Sequence, residues 1–592
     1  MDRTSRVRSR AIARAQFCNP LTEARLSYVA LLLLALATLA PLPSAAHDRD
    51  GDRYSPRHWP VYCADLATDP ADGLVGNPVI KQVTSNIVAA SGTNAAYCQV
   101  DLLYGTNPDQ NINIRVGLPL NSLDGGTGGV EGAWNGRTEG VGGGGCSGNL
   151  TVTGPVNAGY VGSGTDTGHG FADFNCEAGV NDDGSYNYQF IQDFIRNAIK
   201  AQVLFSKSIA KTYYDMKSRY DYWNGCSTGG RQGYLLAQEL GDELDGVLAN
   251  APAIYWTRFQ TEQMWGQIVM KDLVGAPISA AKLNQTTASA VDACDAADGV
   301  KDGLIDDPRT CKFSAKANIC GMPNAPTDQN LCLTPAEAKA IDKIWDGPRN
   351  GKGEKIWFGL DRGTSLPALN GTSPFFLGVT QFHWDEHDRN FDWQTVSSDG
   401  YPQVAQDGSR NIADVTDTFG NLDTFKRHGG KLLTLVGAND QLIMPRGVIN
   451  YYRQMASRYG KHDKPDFERL QRFYRLFRVP GAGHCAVPQA FSTLVDWVEH
   501  GKAPKQILNQ TGTRTRPLCP YPQTAIYNGS GSTDDASNFH CGGNLEKRKV
   551  VCADVLVKYK HEVNGPLDYS GTGVDRRECF HDKYGHGHHD DD

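Results

Sequence analysis

The feature that most constrains the fold of this chain is a serine with a glycine two residues before it and another two residues after it. The segment YWNGCSTGGR, residues 222–231, contains the pattern Gly225-x-Ser227-x-Gly229. This spacing is typical of a sharp turn from a strand into a helix, because such a bend leaves no room for side chains beside the serine. Residues 231–240 can form that helix. Glycine is abundant, at 65 of 592 residues, so the pattern needs support from elsewhere in the chain.

An acid and a histidine follow the serine in the order that serine hydrolases of the α/β class require. Asp440 comes shortly after KLLTLV, residues 431–436, and His484 comes shortly after YRLFRV, residues 474–479. Both segments have strand patterns. Taken singly, the acid and the histidine could be ordinary loop residues. Together with Ser227, each after a strand, they predict a catalytic triad in which the imidazole removes the serine proton and the carboxylate orients the imidazole.

The order of segments predicts an α/β fold, namely an α/β-hydrolase fold with a large inserted lid domain. Residues 47–253 and 421–545 carry strand-like runs, glycine-rich turns and helical patterns, and they would form the catalytic domain in two parts. Residues 254–420 are irregular, are rich in Gly, Pro, Asn and Asp, and would form the lid. Scattered aromatic residues occur in the lid: Trp345, Trp357, Phe375, Phe376, Trp384 and Trp393. Residues 546–592 would be an extension with a solvated His- and Asp-rich tail, for which metal scavenging is the alternative.

The amino terminus predicts export. Six arginines precede the apolar run 28–40, and small residues follow it up to Ala46, so we expect a signal peptide over residues 1–46. The apolar run is shorter than the roughly 20 residues that cross a bilayer as a helix, and an uncleaved anchor is the alternative. After cleavage we expect no membrane association, and the protein would be secreted or periplasmic.

Cysteine content and charge agree with this expectation. Of the 15 cysteines one lies in the signal, and no CxxC pair occurs, so disulfides are favoured over a zinc site. The formal net charge is −8 and no dense Lys/Arg stripe is present, so nucleic acid is excluded as a partner.

Beyond these residues, the sequence resembles the tannase/feruloyl esterase family of secreted α/β-hydrolases, which also includes mono(2-hydroxyethyl) terephthalate hydrolase. The resemblance covers about residues 60 to 545. The matching segments are WNGR at 134–137, the glycine run Gly142–Gly145, TDTGH at 165–169, GCSTGGRQG at 225–233, LDG at 244–246, GxxD at 437–440, PGxxHC at 480–485 and WVExGxAP at 497–504. Two departures from the family pattern are the continuation of this chain for about fifty residues and the absence of glycines from residues 485–488.

The resemblance implies that Ser227, Asp440 and His484 are the triad. It implies an oxyanion hole formed by the backbone N–H of Thr228 and that of a glycine in the Gly142–Gly145 run, with Gly143 or Gly144 as our choice. It also implies disulfide pairs. These are Cys226–Cys485, Cys294–Cys311, Cys320–Cys332 and Cys519–Cys541, with Cys63–Cys98 as a plausible further pair, while Cys146–Cys176 and Cys552–Cys579 remain by elimination.

An acidic loop lies in the predicted lid, with the sequence CDAADGVKDGLIDD at residues 294–307. Its aspartates offer hard oxygen ligands on a tight turn, which Ca²⁺ prefers, although the spacing is not that of an EF-hand. An acidic solvated turn is the alternative. The resemblance implies a structural Ca²⁺ and no organic cofactor. The implied ligands are the carboxylates of Asp295, Asp298 and Asp302 and the carbonyls of Val300 and Leu304.

These features predict a serine carboxylic ester hydrolase that acts on a small-molecule or polymer-attached ester through an acyl-enzyme. The lid aromatics favour an aromatic acyl group such as ferulate, gallate or a related benzoate, although core packing is the simpler explanation for most of them. Two alternatives remain open. One is hydrolysis of other esters, either synthetic aromatic diesters or aliphatic ones; the other is an inactive calcium-stabilised binding protein. A zinc hydrolase is disfavoured because no HExxH spacing occurs.

Overall fold

The computed structural model describes residues 59–69, 74–418, 420–461 and 464–547. At residues 171–172, 409–411 and 414 it describes the backbone alone. The predicted signal peptide and nearly all of the predicted C-terminal extension, including Cys552 and Cys579, lie outside the described residues.

A central sheet of nine strands organises the fold, and two short hairpins follow it in the chain. The strands of the central sheet are β1 (Ile80–Val88), β2 (Tyr97–Tyr104), β3 (Ile112–Pro119), β4 (Arg137–Val141), β5 (Val161–Thr165), β6 (Tyr220–Cys226), β7 (Gly246–Asn250), β8 (Lys431–Gly437) and β9 (Tyr474–Val479). The hairpins are β10 (Ile507–Thr511) with β11 (Arg514–Leu518) and β12 (Thr524–Tyr527) with β13 (Phe539–Gly542).

The strand order in the central sheet is β1-β2-β3-β5-β4-β6-β7-β8-β9. The pairs β1–β2, β2–β3 and β3–β5 are antiparallel, whereas every pair from β5 through β9 is parallel. The carboxyl ends of six parallel strands therefore meet at one edge, where open α/β sheets bind their ligands.

Helices flank this sheet and form much of the chain between β7 and β8. They are α1 (Thr153–Asn157), α2 (Tyr188–Gln192), α3 (Ala198–Tyr214), α4 (Thr228–Glu239), α5 (Trp256–Glu262), α6 (Trp265–Val274), α7 (Ala280–Cys294), α8 (Pro335–Asp346), α9 (Phe376–Asp385), α10 (Tyr401–Asn411), α11 (Ala413–Thr416), α12 (Asp423–His428), α13 (Pro445–Arg458), α14 (Phe467–Leu470) and α15 (Phe491–His500). A π-helical turn, Asp193–Asn197, joins α2 to α3.

Apolar residues on the two faces of the parallel strands belong to different clusters. Trp223 and Val247 pack with residues of α4, whereas Tyr222 and Leu248 pack with residues of α15. Because consecutive side chains of a strand point to opposite faces, a strand covered by helices on both sides must be apolar throughout. This explains why Leu432, Leu433, Leu435 and Val436 of β8 are all buried. The strand was predicted over residues 431–436 and extends from Lys431 to Gly437.

The chain between β7 and β8, residues 251–430, adds no strand to the central sheet in its described part, which omits residue 419. It holds α5 through α12, and the predicted lid, residues 254–420, falls inside it. The largest apolar cluster runs without a break from the sheet into this insertion, for example from Trp223 to Trp256 and Phe382. The insertion is therefore packed onto the catalytic core through shared apolar contacts.

Six disulfides occur among the described residues, and each is a predicted pair. They are Cys63–Cys98, Cys146–Cys176, Cys226–Cys485, Cys294–Cys311, Cys320–Cys332 and Cys519–Cys541. No helix in the described part of the chain combines the length and the apolar character that crossing a bilayer requires.

An ion pair joins the first residue of β4 to the last turn of α15. The Arg137 guanidinium donates to both carboxylate oxygens of Glu499, at 2.6 and 2.5 Å, and the Tyr222 hydroxyl donates to the same carboxylate at 2.8 Å. The Glu499 side chain is 7% exposed, and that of Arg137 is 27% exposed. Planar two-point pairing of this kind fixes orientation as well as distance, so it sets how α15 lies on the sheet.

We expect Glu499→Ala to lower the free energy of unfolding by about 2 kcal/mol, because it leaves the half-buried Arg137 guanidinium without its partner. Urea unfolding followed by far-UV circular dichroism measures the change. Asp496→Ala is the matched control, because Asp496 forms an exposed pair with His500 on the same helix and such pairs contribute at most about 1 kcal/mol. Equal losses in the two variants would contradict a special role for the Arg137 pair.

Candidate active site

Ser227 lies at the turn between β6 and α4 with a backbone conformation that is rare for a residue with a side chain. Its φ is 63° and its ψ is −124°. Its N–H donates to the Asn250 carbonyl at 3.0 Å, and its carbonyl accepts from the Arg231 N–H at 3.0 Å. The neighbouring strand and the first turn of the helix thus hold this conformation, which otherwise costs about 1–3 kcal/mol.

Three glycines allow this turn to form. A Cβ on Gly225 would lie 2.5 Å from the carbonyl carbon of Gly229, and a Cβ on Gly142 would lie 2.4 Å from the Gly229 Cα. The Gly229 N–H also donates to the Gly143 carbonyl at 2.9 Å. The glycine spacing was predicted to reflect a bend without room for side chains. The same lack of room applies to the loop after β4, which contacts this bend.

The predicted acid and histidine are hydrogen-bonded to each other. His484 Nδ1 lies 2.9 Å from Asp440 Oδ2, and the buried Asp440 accepts the N–H groups of Leu442 and Ile443 at 2.9 Å each through its other oxygen. The Asp440 carboxylate is thus fully hydrogen-bonded and fixed in orientation. This pairing holds the imidazole with Nδ1 toward the acid, which leaves Nε2 for a reacting group.

The histidine loop is attached to the serine loop and to the acid loop. The Cys226–Cys485 disulfide joins the residue before Ser227 to the residue after His484, with the two cysteine Cα atoms 6.0 Å apart. The His484 N–H donates to Gln441 Oε1 at 3.0 Å. Gln441 was not predicted as a functional residue, and its position next to Asp440 in the chain is the sequence signal that could have identified it.

The structure places the three predicted triad residues at the carboxyl ends of β6, β8 and β9, which lie at the same edge of the sheet. The Ser227 hydroxyl makes no hydrogen bond with a described residue. Hydrogen bonds between catalytic groups are often long before substrate binds. A missing bond between the Ser227 hydroxyl and His484 is therefore compatible with proton transfer between them.

The backbone amides predicted for an oxyanion hole differ in availability. Thr228 is the first residue of α4, so its N–H has no acceptor within the helix. By contrast, the Gly143 N–H donates to Gln232 Oε1 at 2.9 Å, and the Gly144 N–H donates to the Ser147 carbonyl at 3.1 Å. The sequence could not reveal these internal acceptors, because one comes from α4 and the other from a local turn.

A buried carboxyl group, that of Glu139, lies on the strand next to β6 and is bonded to Asn224, which precedes Ser227 by three residues. Glu139 of β4 accepts a hydrogen bond from the Asn224 side chain of β6 at 3.0 Å. Burial raises the pKa of Glu139 to about 7, and the Asn224 hydrogen bond offsets only part of this effect. Because the folded pKa exceeds the unfolded value, the stabilisation that this carboxyl provides is complete below about pH 4.5 and is lost as the pH rises through about 7.

We expect Glu139→Gln to raise stability by less than about 1 kcal/mol at pH 5 and by up to about 3 kcal/mol at pH 8, because glutamine keeps an oxygen for Asn224 and carries no charge. Thermal unfolding of parent and variant at both pH values measures the difference, since all other titrating groups are common to the two. A gain of equal size at pH 5 and pH 8 would rule out titration of Glu139 as its source.

The predicted calcium loop is closed by hydrogen bonds within the protein. One carboxylate oxygen of Asp295 accepts the N–H groups of Asp302 and Gly303 at 2.9 Å each, and Asp298 accepts those of Val300 and Asp306 at 3.1 and 3.2 Å. The loop is also bridged by the Cys294–Cys311 disulfide.

An arginine supplies positive charge to this loop. The Arg516 guanidinium contacts the Asp302 carboxylate and lies 3.4 Å from Asp306 Oδ2, and all three side chains are almost completely buried. Within the described residues no three His, Cys, Asp or Glu side chains are arranged to hold a metal ion. As placed, the carboxylates of Asp295, Asp298 and Asp302 are engaged by backbone N–H groups and by Arg516. Ca²⁺ binding by these carboxylates and by the carbonyls of Val300 and Leu304 stays a prediction of the sequence.

We expect Arg516→Met to lower the free energy of unfolding by about 3–5 kcal/mol, because it leaves buried carboxylates without a counter-charge. Arg514→Met is the matched control on the same strand, since the Arg514–Asp534 pair is exposed. Urea unfolding of both variants tests this, and equal small effects would contradict it. Repeating the measurement on Arg516→Met with added Ca²⁺ tests the predicted site separately, since restored stability requires that the loop carboxylates accept the ion.

With this geometry described, comparisons with known proteins identify the family. The family described as "Tannase and feruloyl esterase" matches residues 130–542. A probable feruloyl esterase from Arthroderma benhamiae is 33% identical over 443 residues, which cover 69% of this chain and 80% of the relative. Feruloyl esterase B from Aspergillus niger is 27% identical over 509 residues, which cover 78% of this chain and 89% of the relative.

Solved structures show the same fold. Feruloyl esterase B from Aspergillus oryzae matches with a TM-score of 0.68 and 23% identity, over 81% of this chain and 100% of that chain. Tannin acyl hydrolase from Aspergillus niger matches with a TM-score of 0.68 and 23% identity, over 81% of this chain and 96% of that chain. The predicted α/β-hydrolase fold with an inserted lid is confirmed. Since the family match spans more than half of the sequence, the chain belongs to the tannase and feruloyl esterase family and is a carboxylic ester hydrolase.

Proposed function

We propose that this chain is an exported serine esterase that hydrolyses esters of aromatic acids through an acyl-enzyme, with Ser227 as nucleophile, His484 as base and Asp440 as the orienting acid. The observation that carries the proposal is the His484–Asp440 hydrogen bond of 2.9 Å beside a serine in a strained turn. The Cys226–Cys485 disulfide supports it, because it joins the serine and histidine loops next to the reacting residues.

In the first half of the reaction, Ser227 Oγ attacks the ester carbonyl carbon while its proton passes to His484 Nε2. The tetrahedral intermediate collapses when His484 returns this proton to the leaving alkoxide, which departs as the alcohol. In the second half, His484 takes a proton from water, the hydroxide attacks the acyl-enzyme, and the proton is returned to Ser227 Oγ as the carboxylic acid leaves.

Asp440 acts through the histidine. Its carboxylate stabilises the imidazolium that forms in both halves of the reaction and keeps Nδ1 protonated. The hydrogen bonds that it accepts from Leu442 and Ile443 hold it in place, so the imidazole needs no reorganisation when it gains a proton.

We assign the Thr228 amide as one donor to the oxyanion. For the second donor we keep the Gly142–Gly145 run. Because the Gly143 amide is bonded to Gln232 and the Gly144 amide to Ser147, either of them serves only by sharing its hydrogen or changing its partner. Such donors contribute about 3–4 kcal/mol to transition-state stabilisation.

The aromatic acyl group in this proposal rests on two lines of support. The relatives carry the names feruloyl esterase and tannin acyl hydrolase, and the insertion that follows β7 carries aromatic side chains. Export is supported by the signal-like sequence of residues 1–46 and by the six disulfides, since disulfides persist in oxidising compartments.

The test compares the parent with Ser227→Ala on methyl ferulate, methyl gallate and p-nitrophenyl acetate. We expect the variant to lose activity on every ester, by about 10⁴-fold or more in kcat, because the base has no nucleophile to activate. The matched control is Ser91→Ala, which changes an exposed serine in the turn between β1 and β2.

Near-UV circular dichroism shows whether Ser227→Ala keeps the fold. Activity that survives in a folded Ser227→Ala protein overturns the assignment of the nucleophile. Hydrolysis of p-nitrophenyl acetate alone by the parent overturns the aromatic acyl group and leaves the mechanism in place.

A further inference from the structure

A partly buried phenylalanine lies against the loop that approaches the nucleophile. The ring of Phe174 occupies the space beside Gly145, where an added Cβ would lie 2.3 Å from the ring Cζ. The Gly145 carbonyl in turn accepts the Thr228 hydroxyl at 2.5 Å. Gly145 thus lies between this ring and Thr228, the residue that follows Ser227. Phe174 lies on the loop after β5, whose carboxyl end is at the same edge of the sheet as that of β4.

The backbone around Phe174 is held to the same loop. Its carbonyl accepts the Cys146 N–H at 3.0 Å, and the Cys146–Cys176 disulfide closes the contact two residues further on. Phe174 therefore has a defined position relative to the serine turn.

A second ring comes from the insertion. Phe376, the first residue of α9, has its ring centroid 5.8 Å from that of Phe174, with an angle of 40° between the rings. Phe375 adds a third ring, 4.8 Å from Phe376. Phe376 is 39% exposed, although most of the aromatic residues in the insertion are buried. The three rings form a continuous apolar surface, which we call the aromatic wall.

The far end of α9 is anchored on the core, which fixes the position of the wall. Trp384 Nε1 donates to the Cys176 carbonyl at 3.0 Å, and the Tyr186 hydroxyl donates to the Trp384 carbonyl at 2.9 Å. The Trp384 indole is buried against Gly179, where an added Cβ would lie 2.0 Å from it. Phe376 is therefore held at the start of a helix that cannot shift freely.

We propose that the aromatic wall binds the acyl group of the ester, whose planar aromatic ring packs against Phe174 and Phe376. This inference rests on the proposed function and names the side chains that select its substrate. Aromatic rings attract one another in offset or edge-to-face arrangements at centroid distances of roughly 4.5–7 Å. A hydroxycinnamoyl or benzoyl ring can therefore pack against the two phenylalanine rings in the same way as they pack against each other. An acetyl group has no ring to place there.

The test is the ratio of kcat/KM for methyl ferulate to kcat/KM for p-nitrophenyl acetate in the parent and in Phe376→Ala. We expect this ratio to fall by about tenfold, because the aromatic acyl group loses a stacking partner that the acetyl group never had. Phe376→Leu keeps the apolar volume and replaces the alanine variant if that protein does not fold. Leu508→Ala, an exposed apolar residue of β10, is the control, and it should leave the ratio unchanged.

Phe174→Leu is the second variant, since leucine still fills the space beside Gly145, and its ratio should also fall. An unchanged ratio in folded variants of both phenylalanines overturns the proposal. This includes the case in which the activities on methyl ferulate and on p-nitrophenyl acetate decline by the same factor. Failure of the proposed function is distinguishable, because the parent would then hydrolyse neither ester or Ser227→Ala would stay active. In that case the binding of methyl ferulate to the parent and to Phe376→Ala is measured by calorimetry. Weaker binding to the variant supports the proposed role of the aromatic wall, and equal binding overturns it.

Discussion

The close approach of two backbone turns at the carboxyl edge of the sheet is the constraint on which the rest of this site depends. Gly142 lies in the turn after β4, and Gly225 and Gly229 flank the serine, and a Cβ on Gly142 or Gly225 would collide with the Gly229 backbone. Because the turns touch, the Gly229 amide can reach the Gly143 carbonyl, while the Ser227 amide donates to Asn250 at the end of the adjacent strand β7. The strained conformation of Ser227 persists because these bonds hold it on both sides.

The site is assembled from distant parts of the sequence, and covalent and ionic links hold those parts together. The disulfide Cys226–Cys485 spans 259 residues and joins the serine and histidine loops. On one face of the sheet, the pair between Arg137 and Glu499 orients α15. The insertion is attached through the shared apolar cluster and through Trp384 on the Cys176 loop. Each link removes freedom that would otherwise move reacting groups apart, and small displacements of such groups cost large factors in rate.

Buried charge has two different forms in this molecule. Glu139 has an amide partner and, among the described residues, no cation paired with it, so burial holds its pKa well above the usual range. In the acidic loop, by contrast, carboxylates are neutralised by Arg516, which comes from a strand more than two hundred residues later. A loop of this kind can be neutralised by a side-chain cation as well as by a metal ion, because either supplies the counter-charge that buried carboxylates need.

The sequence by itself determined the local elements of the fold and the candidate triad. The strands Lys431–Gly437 and Tyr474–Val479 and the helix Thr228–Glu239 occur where they were predicted to within a few residues, because apolar periodicity is a property of short segments. The glycine spacing around Ser227 predicted its turn for the same reason. The order of serine, acid and histidine, each after a strand, predicted which side chains meet at the edge of the sheet.

Only the tertiary structure decided which atoms are already engaged and which surfaces meet. The acceptors of the Gly143 and Gly144 amides, the Arg516 contact with Asp302, and the ring of Phe174 beside Gly145 all depend on pairs of segments whose distance no local pattern encodes. Hydrogen bonds and ring contacts depend on distances of a few tenths of an ångström. Such distances are set by how the whole sheet, its helices and the insertion pack, and so they follow from the complete fold.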